Sequence, residues 1–410
     1  MARKPHKKSR LGCIECKRRH IKCDEGRPTC GNCNISRRAC SYASMISEAH
    51  IILEQFPRNS RSAGKADKQR PSDSPSPSQA GSGAGSGSDI DSPPVNALHL
   101  ELFHHFVQDL SVSLGLDRIV SGNRAIGLMG SMLAAPYLMD QILAFSALHL
   151  SILRRDQQKR YKYHADQLQT HAISALNSLK LEVNPENCLP LFIFASCLAN
   201  HTLCEKLVFR ADTFDDFLDD FVQSLHLHRG IRAITSQSWH FLLETPLKDT
   251  LRKSGQALDD GPAGDECLEL LSLVDTTVSD PATRDTYRQA IESLQKTLNA
   301  NRVLSPELSA MSLVISWPVM IPPEYSDRLA ERRPEALVIL AYYAALLHMH
   351  STIWLFGDSG EYILRSVNAY LGHAWGHWLR WPNEVLRIYS ASPQACEMRT
   401  SADLTSTPGA

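Results

Sequence analysis

The sequence lacks the motifs that mark common enzyme active sites. It holds no G-x-S-x-G nucleophile elbow, no P-loop, no H-E-x-x-H helix and no G-x-G-x-x-G turn after a strand. Because these patterns carry the chemistry of hydrolases, nucleotide-binding enzymes, metalloproteases and dehydrogenases, their absence predicts that the protein is not an enzyme. The absence of these motifs does not exclude a catalytic site that is assembled from residues dispersed along the chain.

Two further features are scarce or missing. Runs of alternating β-branched residues are nearly absent, which argues against a β-rich fold. We also expect no apolar leader, because residues 1–10 are basic and no apolar stretch of about 7–15 residues follows them. We therefore expect a reducing compartment, in which clustered cysteines bind metal more often than they form disulfides.

Charge, by contrast, is abundant and unevenly distributed. The 410 residues include 43 lysines and arginines and 44 acidic residues, a formal net charge of −1. Residues 1–40 hold twelve of the basic residues and three of the acidic ones, a charge of +9, and the rest of the chain carries −10. A basic head on an acidic body indicates a nucleic-acid-binding module joined to a second domain.

Six of the eleven cysteines lie within 28 residues of one another. They repeat the spacing C-x2-C-x6-C twice, at Cys13, Cys16, Cys23, Cys30, Cys33 and Cys40. Zinc prefers four thiolates in a tetrahedron, so six thiolates serve two ions only if two sulfurs bridge. Symmetry selects the first cysteine of each half. One Zn²⁺ would then bind the first four cysteines, and a second Zn²⁺ would bind the last three together with Cys13.

The segment from Gly12 to Glu25, the run Arg27-Pro28-Thr29-Cys30 and the closing Cys40-Ser41-Tyr42 resemble the fungal zinc binuclear cluster (Zn₂Cys₆) transcription factors. In that family the bridging sulfurs match Cys13 and Cys30. The resemblance implies a nuclear protein that binds double-stranded DNA in a zinc-dependent, sequence-specific way and regulates transcription by RNA polymerase II. The alternatives are a disulfide knot, a storage-type metal–thiolate peptide and a protein-binding zinc module.

Basic residues lie where DNA contacts are expected. Those between the second and third cysteines are Lys17, Arg18, Arg19, His20 and Lys22. A short helix there would present a basic face to the major groove. The family's readers of a CGG-type triplet match Arg19 and His20. A lysine is usual at the second position, so His20 is a departure that argues against a simple CGG preference.

The basic arm ahead of the cysteines has a different expected role. It includes Lys7, Lys8 and Arg10. Clustered cations of this kind predict phosphate contacts, which hold a protein on DNA without selecting a sequence, and they also predict nuclear import. A purely solvated charged face is the alternative interpretation.

Composition divides the chain into four parts. We predict a DNA-binding domain over 1–42, a flexible linker over 43–95, an all-helical regulatory domain over 96–390 and a flexible tail over 391–410. Within the linker, 21 of the 39 residues from Pro57 to Val95 are Ser, Gly or Pro. Such a stretch buries too little apolar surface to offset its ordering entropy. The predicted fold class is a small zinc binuclear cluster module, a disordered linker and a large all-α regulatory domain.

Helical periodicity runs through the predicted body. Apolar residues follow helical spacing from Leu98 to Leu110 and from Leu138 to Leu148, and Asn184-Pro185 and Trp317-Pro318 are predicted to break helices. Residues 336–356 contain no formal charge and reach the length of a membrane span. Polar residues fill the second half of that stretch, so we predict a buried central helix and no membrane span.

The body also resembles the regulatory domain of sterol-uptake-regulator-like factors. The matching segments include Leu102–Phe106, Pro136–Leu150 and the tryptophans at 375, 378 and 381. The resemblance implies control of sterol or lipid genes or of a secondary-metabolite biosynthetic gene cluster. It leaves open a homodimer through the helical domain, a hydrophobic small-molecule effector and contact with the transcription machinery. The alternative function is a repressor or scaffold whose helical body mainly binds protein partners.

Four groups of residues in the body have two interpretations each. Trp354 and the three later tryptophans could line a ligand pocket, but core packing is the favoured interpretation. His373 and His377 have the spacing of a zinc pair without a catalytic glutamate, so metal binding is disfavoured. Residues 212–221 alternate acidic and apolar side chains, and an amphipathic helix is favoured over an acidic activation segment. The scattered cysteines are expected to be buried rather than redox switches: Cys188, Cys197 and Cys204.

Overall fold

The computed structural model describes residues 14–19, 21, 23, 30–36, 38, 95–114, 123–303 and 310–390. The described residues contain helices and connecting turns and no strand. The predicted order of a small cysteine-rich module followed by an all-helical body is therefore confirmed. The predicted tail over 391–410 lies outside the described residues, and so does the predicted linker except for Val95.

Two short helices belong to the cysteine-rich module, and longer ones build the body. The helices in chain order are α1 (Ile14–Arg18), α2 (Gly31–Ile35), α3 (Ala97–His105), α4 (Asn123–Leu133), α5 (Pro136–Leu153), α6 (Gln158–Leu179), α7 (Cys188–Val208), α8 (Phe214–Leu242), α9 (Lys248–Asp260), α10 (Leu268–Thr277), α11 (Pro281–Arg302), α12 (Ala310–Met320), α13 (Pro323–Ala330), α14 (Pro334–Met349), α15 (Ser359–Leu371) and α16 (Arg380–Ser390). The helix α3 continues through a π-helical turn at Phe106–Leu110 into Ser111–Ser113.

Local sequence explains where many of these helices begin. Four of them, α5, α11, α13 and α14, carry proline in their first turn, where the missing N–H would have no helical partner. Others begin after a capping side chain. Asn96 Oδ1 accepts from the backbone N–H of His99 at 3.1 Å, and Asp280 Oδ2 accepts from that of Thr283 at 2.9 Å. The predicted break at Asn184-Pro185 is confirmed, because Asn184 Oδ1 caps the turn that precedes α7.

The predicted break at Trp317-Pro318 is wrong. Helix α12 runs through Pro318 to Met320, and the backbone N–H of Ile321 donates to the carbonyl of Trp317 at 3.0 Å. Trp317 is fully buried and its indole N–H donates to the carbonyl of Ala290 on α11 at 3.0 Å. Because Pro318 lies in the last turn and the tryptophan beside it is fixed by packing, the helix tolerates the missing backbone donor.

The centre of the body is α14. Every residue from Ala336 to Leu347 has no exposed surface, which confirms the predicted buried central helix. The helix ends at Met349 after 16 residues, shorter than the roughly 20 residues that span a bilayer. Gly360 lets α15 approach it closely, because a Cβ at that position would overlap the backbone of Ala344 and His348.

The remaining helices pack around this centre and form one continuous apolar core. Helix α5 packs along α6. Helix α7 packs between α5 and α8, and α8 also packs against α12 and α13. By length and composition alone, α5 and α7 could each cross a membrane. More than half of each helix is buried against other helices, as core helices of this composition are.

Candidate metal centre and nucleic-acid interface

The cysteine-rich module is built from two copies of one local structure. Helices α1 and α2 are both five residues long and start 17 residues apart, the same offset that separates Cys13 from Cys30. In the first copy the backbone N–H of Arg19 donates to the carbonyl of Glu15 at 3.1 Å. The matching bond in the second copy, also 17 residues later, joins Ser36 to Asn32 at 3.3 Å. The repeat seen in the sequence is therefore also a repeat of backbone geometry.

Three cysteine sulfurs meet at one point between these helices. The Sγ atoms of Cys16, Cys23 and Cys30 lie within 4.8 Å of one another, and those of Cys16 and Cys30 are 3.6 Å apart. A tetrahedral zinc ion with Zn–S bonds of about 2.3 Å separates its sulfurs by about 3.8 Å. The three sulfurs thus have the spacing of three corners of a zinc–thiolate tetrahedron, and all three cysteines are buried.

The position of Cys30 bears on how two metal ions would share the thiolates. Cys30 belongs to the second half of the repeat, yet its sulfur lies with two sulfurs of the first half. Separate ions for separate halves would place it with Cys33 and Cys40 instead. Cys33 is also buried and belongs to the same small cluster of cysteines. Cys13 and Cys40, the other predicted ligands, lie outside the described residues.

Polar side chains connect the two halves around the sulfurs. Glu15 on α1 accepts from Arg38 of the second half at 3.2 Å and pairs with Arg18 of its own helix at 2.9 Å. In the other direction, Arg19 Nη1 donates to Ser36 Oγ at 2.8 Å. Sequence reasoning missed Glu15, Ser36 and Arg38 as parts of this centre. The 17-residue offset makes positions 19 and 36 equivalent, but it does not indicate that their side chains meet.

The predicted DNA contacts are described in part. Lys17 lies in α1, and Arg18 follows it with 71% of its side chain exposed. Arg19 is half-buried by its contact with the second half. The remaining predicted contacts lie outside the described residues: Lys7, Lys8, Arg10, His20 and Lys22.

Within the body, the tryptophans pack as core residues, as predicted. Trp354 stacks on His149 with 4.2 Å between ring centroids, and Trp381 stacks on a tyrosine of α14 at 5.0 Å. Trp375 and Trp378 are half-buried against the same core. All four rings are partly buried and pack against the edge of the core.

The histidine pair at 373 and 377 does not form on a helix. His373 begins a single 3₁₀ turn that ends at Trp375, and His377 lies in the turn after it. The Nδ1 atom of His377 accepts from Arg380 Nη2 at 3.0 Å. Because four-residue spacing brings side chains together only on an α-helix, this geometry does not support a metal pair.

The acidic segment at 212–221 is an amphipathic helical start, as predicted. Its apolar face is fully buried at Phe217, Leu218 and Phe221. Two of its acidic side chains, Asp215 and Asp219, pair with Arg332 at 3.2 and 2.8 Å. The segment is therefore folded into the body, with its charges on the outer face.

Helix α7 holds three cysteines. Cys188 and Cys204 are buried, which confirms the predicted burial for these two, and Cys197 is half-buried. Burial raises the pKa of the Cys197 thiol to about 12, and it also raises the pKa of Cys188 and of Cys204. Thiols with raised pKa values stay protonated at neutral pH and react slowly with oxidants. These cysteines act as small apolar core residues.

Comparison with known proteins identifies the module. Residues 11–48 match the fungal Zn(2)-Cys(6) binuclear cluster domain. The chain is 27% identical to a Zn(2)-C6 fungal-type transcription factor of Gibberella zeae over 95% of its length and 88% of that protein's. It is 24% identical to the Zn(2)-C6 fungal-type transcription factor afumD of Aspergillus fumigatus, over 81% of this chain and 83% of that one.

A third similarity is local. The chain is 40% identical to sterol uptake control protein 2 of Candida albicans over 70 residues, which is 17% of this chain and 10% of that protein. Taken together, the matches show that the chain carries a fungal Zn(2)-Cys(6) domain. A domain of this type binds two zinc ions, and its presence supports DNA-binding transcription regulation by the chain.

Proposed function

We propose that the protein is a nuclear, sequence-specific transcription factor whose zinc ions are held by Cys13, Cys16, Cys23, Cys30, Cys33 and Cys40. The observation that carries this assignment is the position of the Cys30 sulfur, 3.6 Å from that of Cys16 in the other half of the repeat. A bridging sulfur from the second half of the repeat must lie beside the ligands of the first ion, and the sulfur of Cys30 does so.

The DNA contacts follow from the charges around this centre. Arg19 and His20 would read base edges in the major groove, with Lys17, Arg18 and Lys22 beside them. The arm at Lys7, Lys8 and Arg10 would contact phosphates and direct nuclear import. Arginine reads guanine through a planar pair of donors, whereas the histidine at position 20 offers a single neutral donor, so the preferred site should differ from a plain CGG triplet.

For the pathway, we propose control of a metabolic gene set, either sterol and lipid genes or a secondary-metabolite gene cluster. The likeness to a sterol uptake regulator covers 70 residues only. The two likenesses that extend over most of the chain are to factors whose names specify no pathway. The helical body would supply the regulatory part through a homodimer contact, a hydrophobic effector or the transcription machinery.

Selection of random duplex DNA by the full-length protein tests this function. We expect the zinc-loaded protein to enrich one sequence and the chelated protein to enrich none. Cys30→Ala should abolish enrichment, because it removes a ligand of both ions. Cys197→Ala is the matched control, since that cysteine lies in α7 of the body, and it should leave enrichment intact. Enrichment that survives both chelation and Cys30→Ala would rule out the binuclear assignment.

The competing function is a repressor or scaffold that acts through protein contacts. Expression profiling after deletion of the gene, together with a reporter carrying the selected DNA site, separates the two. An activator lowers expression of its targets when deleted, and a repressor raises it. A pure scaffold would show no selected site upstream of the genes that respond.

A further inference from the structure

One side-chain contact crosses between the two halves of the zinc module at equivalent positions. Arg19 follows α1 and Ser36 follows α2, each six residues after the first cysteine of its half. The guanidinium Nη1 of Arg19 lies 2.8 Å from Ser36 Oγ, within hydrogen-bond distance. An arginine in one half thus meets a serine at the matching position of the other.

The direction of this bond is set by a second one. Ser36 Oγ donates its single proton to the backbone carbonyl of Asn32, one turn back, at 2.5 Å. The hydroxyl therefore presents a lone pair to Arg19 and accepts from it. Because both the hydroxyl and the guanidinium have fixed donor directions, the pair restricts where the plane of the Arg19 side chain can lie.

The contact leaves donors of Arg19 free for another ligand. A guanidinium carries five N–H donors in a rigid plane, and Ser36 engages Nη1. The other amino group and Nε can still form the paired contact that arginine makes with guanine O6 and N7. A side chain already restricted in the free protein loses less rotamer entropy when it binds, which favours the one base that fits its orientation.

The neighbouring arginine provides a contrast. Arg18 has 71% of its side chain exposed, and its partner Glu15 belongs to the same helix. Among the described residues, no ion pair or hydrogen bond joins Arg18 to the second half, unlike Arg19. Of these two neighbouring arginines, Arg19 is therefore the one that a side chain of the second half orients.

From this geometry we propose that Ser36 determines specificity by positioning Arg19 for one base pair, although Ser36 itself contacts no base. The proposal rests on the proposed role of Arg19 as a base reader. Through Ser36, the second half of the module would then take part in sequence selection. The small polar side chain of a serine would not by itself suggest that role.

The test compares full-length variants in DNA selection and in binding to the selected site. Ser36→Ala should weaken binding to that site by about 3- to 10-fold, the value of one hydrogen bond, and broaden selection at one base pair. Binding to random DNA should stay the same. Ser36→Thr keeps the hydroxyl and should restore selection. Ser178→Ala is the matched control, because Ser178 is an exposed helical serine of the body whose hydroxyl also donates to a backbone carbonyl about one turn back.

A double-mutant cycle shows whether Ser36 acts through Arg19. In an Arg19→Ala background, Ser36→Ala should have no further effect on selection. Zinc content, measured for every variant, should stay at two ions per chain. Independent effects of the two substitutions would overturn the proposal, as would tighter binding by Ser36→Ala, which would mean that Ser36 holds Arg19 away from DNA. Loss of zinc from Ser36→Ala together with weaker binding to all sequences would overturn it too, since the role would then be structural.

The same data separate this proposal from the function it rests on. If Arg19→Ala relaxes selection and Ser36→Ala does not, the positioning role fails and the DNA-reading role of Arg19 stands. If Arg19→Ala leaves the selected sequence unchanged, the reading role fails and the proposal falls with it. Absence of any zinc-dependent enrichment by the unaltered protein would instead contradict the proposed function as a whole.

Discussion

The zinc module and the helical body have interiors of different chemistry. Among the described residues, the interior of the module is four cysteines, Cys16, Cys23, Cys30 and Cys33, with Ile21 packed against them. The interior of the body is a continuous set of aliphatic and aromatic side chains around α14. One interior binds metal, and the other excludes water.

This difference follows from size. A segment of about 40 residues buries too little apolar surface to fold on that basis alone, so a bound metal commonly supplies the missing free energy. The body has enough residues to fold by burial. We therefore expect each region to respond to a perturbation that leaves the other almost unchanged, and the predictions below test that separation.

Zinc removal should have the largest effect, and it should be confined to the module. Chelation of the full-length protein should unfold residues 11–48 and abolish specific DNA binding, because the free energy of metal binding is also the folding free energy of such a domain. Hydrogen exchange followed by mass spectrometry should show loss of protection there and unchanged protection in α14. Loss of protection in both regions would show that the body depends on the module.

Trp317→Ala should have the reverse effect. The indole is fully buried, donates to the Ala290 carbonyl and stacks on Tyr343 with 4.3 Å between centroids. Removing it leaves a cavity and takes one of the donors from the Ala290 carbonyl, which still accepts from Ser293 Oγ. We expect a cost of about 3–5 kcal/mol in the free energy of unfolding of the body. Urea unfolding followed by circular dichroism measures this. Trp239→Ala, at a site that is 42% exposed, is the control, and zinc content should be unaffected by either substitution.

Mild acid should weaken the body through its buried histidines. Burial lowers the pKa of His149 to about 4 and that of His201 to about 3. The unfolded chain takes up these protons near pH 6.5 and the folded chain does not, so stability is full above that pH and falls as the pH drops toward 4. At pH 5.5 the loss should be about 1 kcal/mol per histidine.

Urea unfolding at pH 7.0 and at pH 5.5 measures this loss for the unaltered protein and for His201→Phe. The variant should lose less stability on acidification, because one titrating group is gone. His240→Gln, which changes an exposed histidine, should behave like the unaltered protein. Equal acid sensitivity in all three proteins would show that other groups dominate the titration.

The smallest effect should come from the surface of the body. Arg332→Ala removes the partner of Asp215 and Asp219, whose side chains are more than half exposed. We expect a loss of less than about 1 kcal/mol in the free energy of unfolding, since exposed ion pairs contribute little. The loss should shrink further in 0.5 M salt. A loss of several kcal/mol would mean that these ion pairs anchor α8 to the turn between α13 and α14.

Periodicity predicted much of the body because many of its helices carry a buried stripe that repeats about every 3.6 residues. The amphipathic start of α8 at Phe217, Leu218 and Phe221 is an example. The prediction failed at Pro318, where the indole of Trp317 fixes the last turn of α12. Local rules treat proline as a stop because they do not include the packing of its neighbour.

Cysteine spacing likewise indicated a shared-sulfur metal centre from ligand counting alone. It did not indicate the bonds that join the halves, from Arg38 to Glu15 and from Arg19 to Ser36. Those depend on how closely α1 and α2 approach, and nothing in the spacing of thiolates specifies that distance.

By itself, then, the sequence determined which parts the protein has: a basic, cysteine-rich module with ligands for two zinc ions, and an all-helical body. Such properties are set by residue type and local spacing. Only the tertiary structure decided which distant parts of the chain meet. The side chain of Arg19 meets that of Ser36, and α15 meets α14 at Gly360. The physical reason is that contacts between distant segments depend on the packing of whole elements, where differences of an ångström decide whether a hydrogen bond forms.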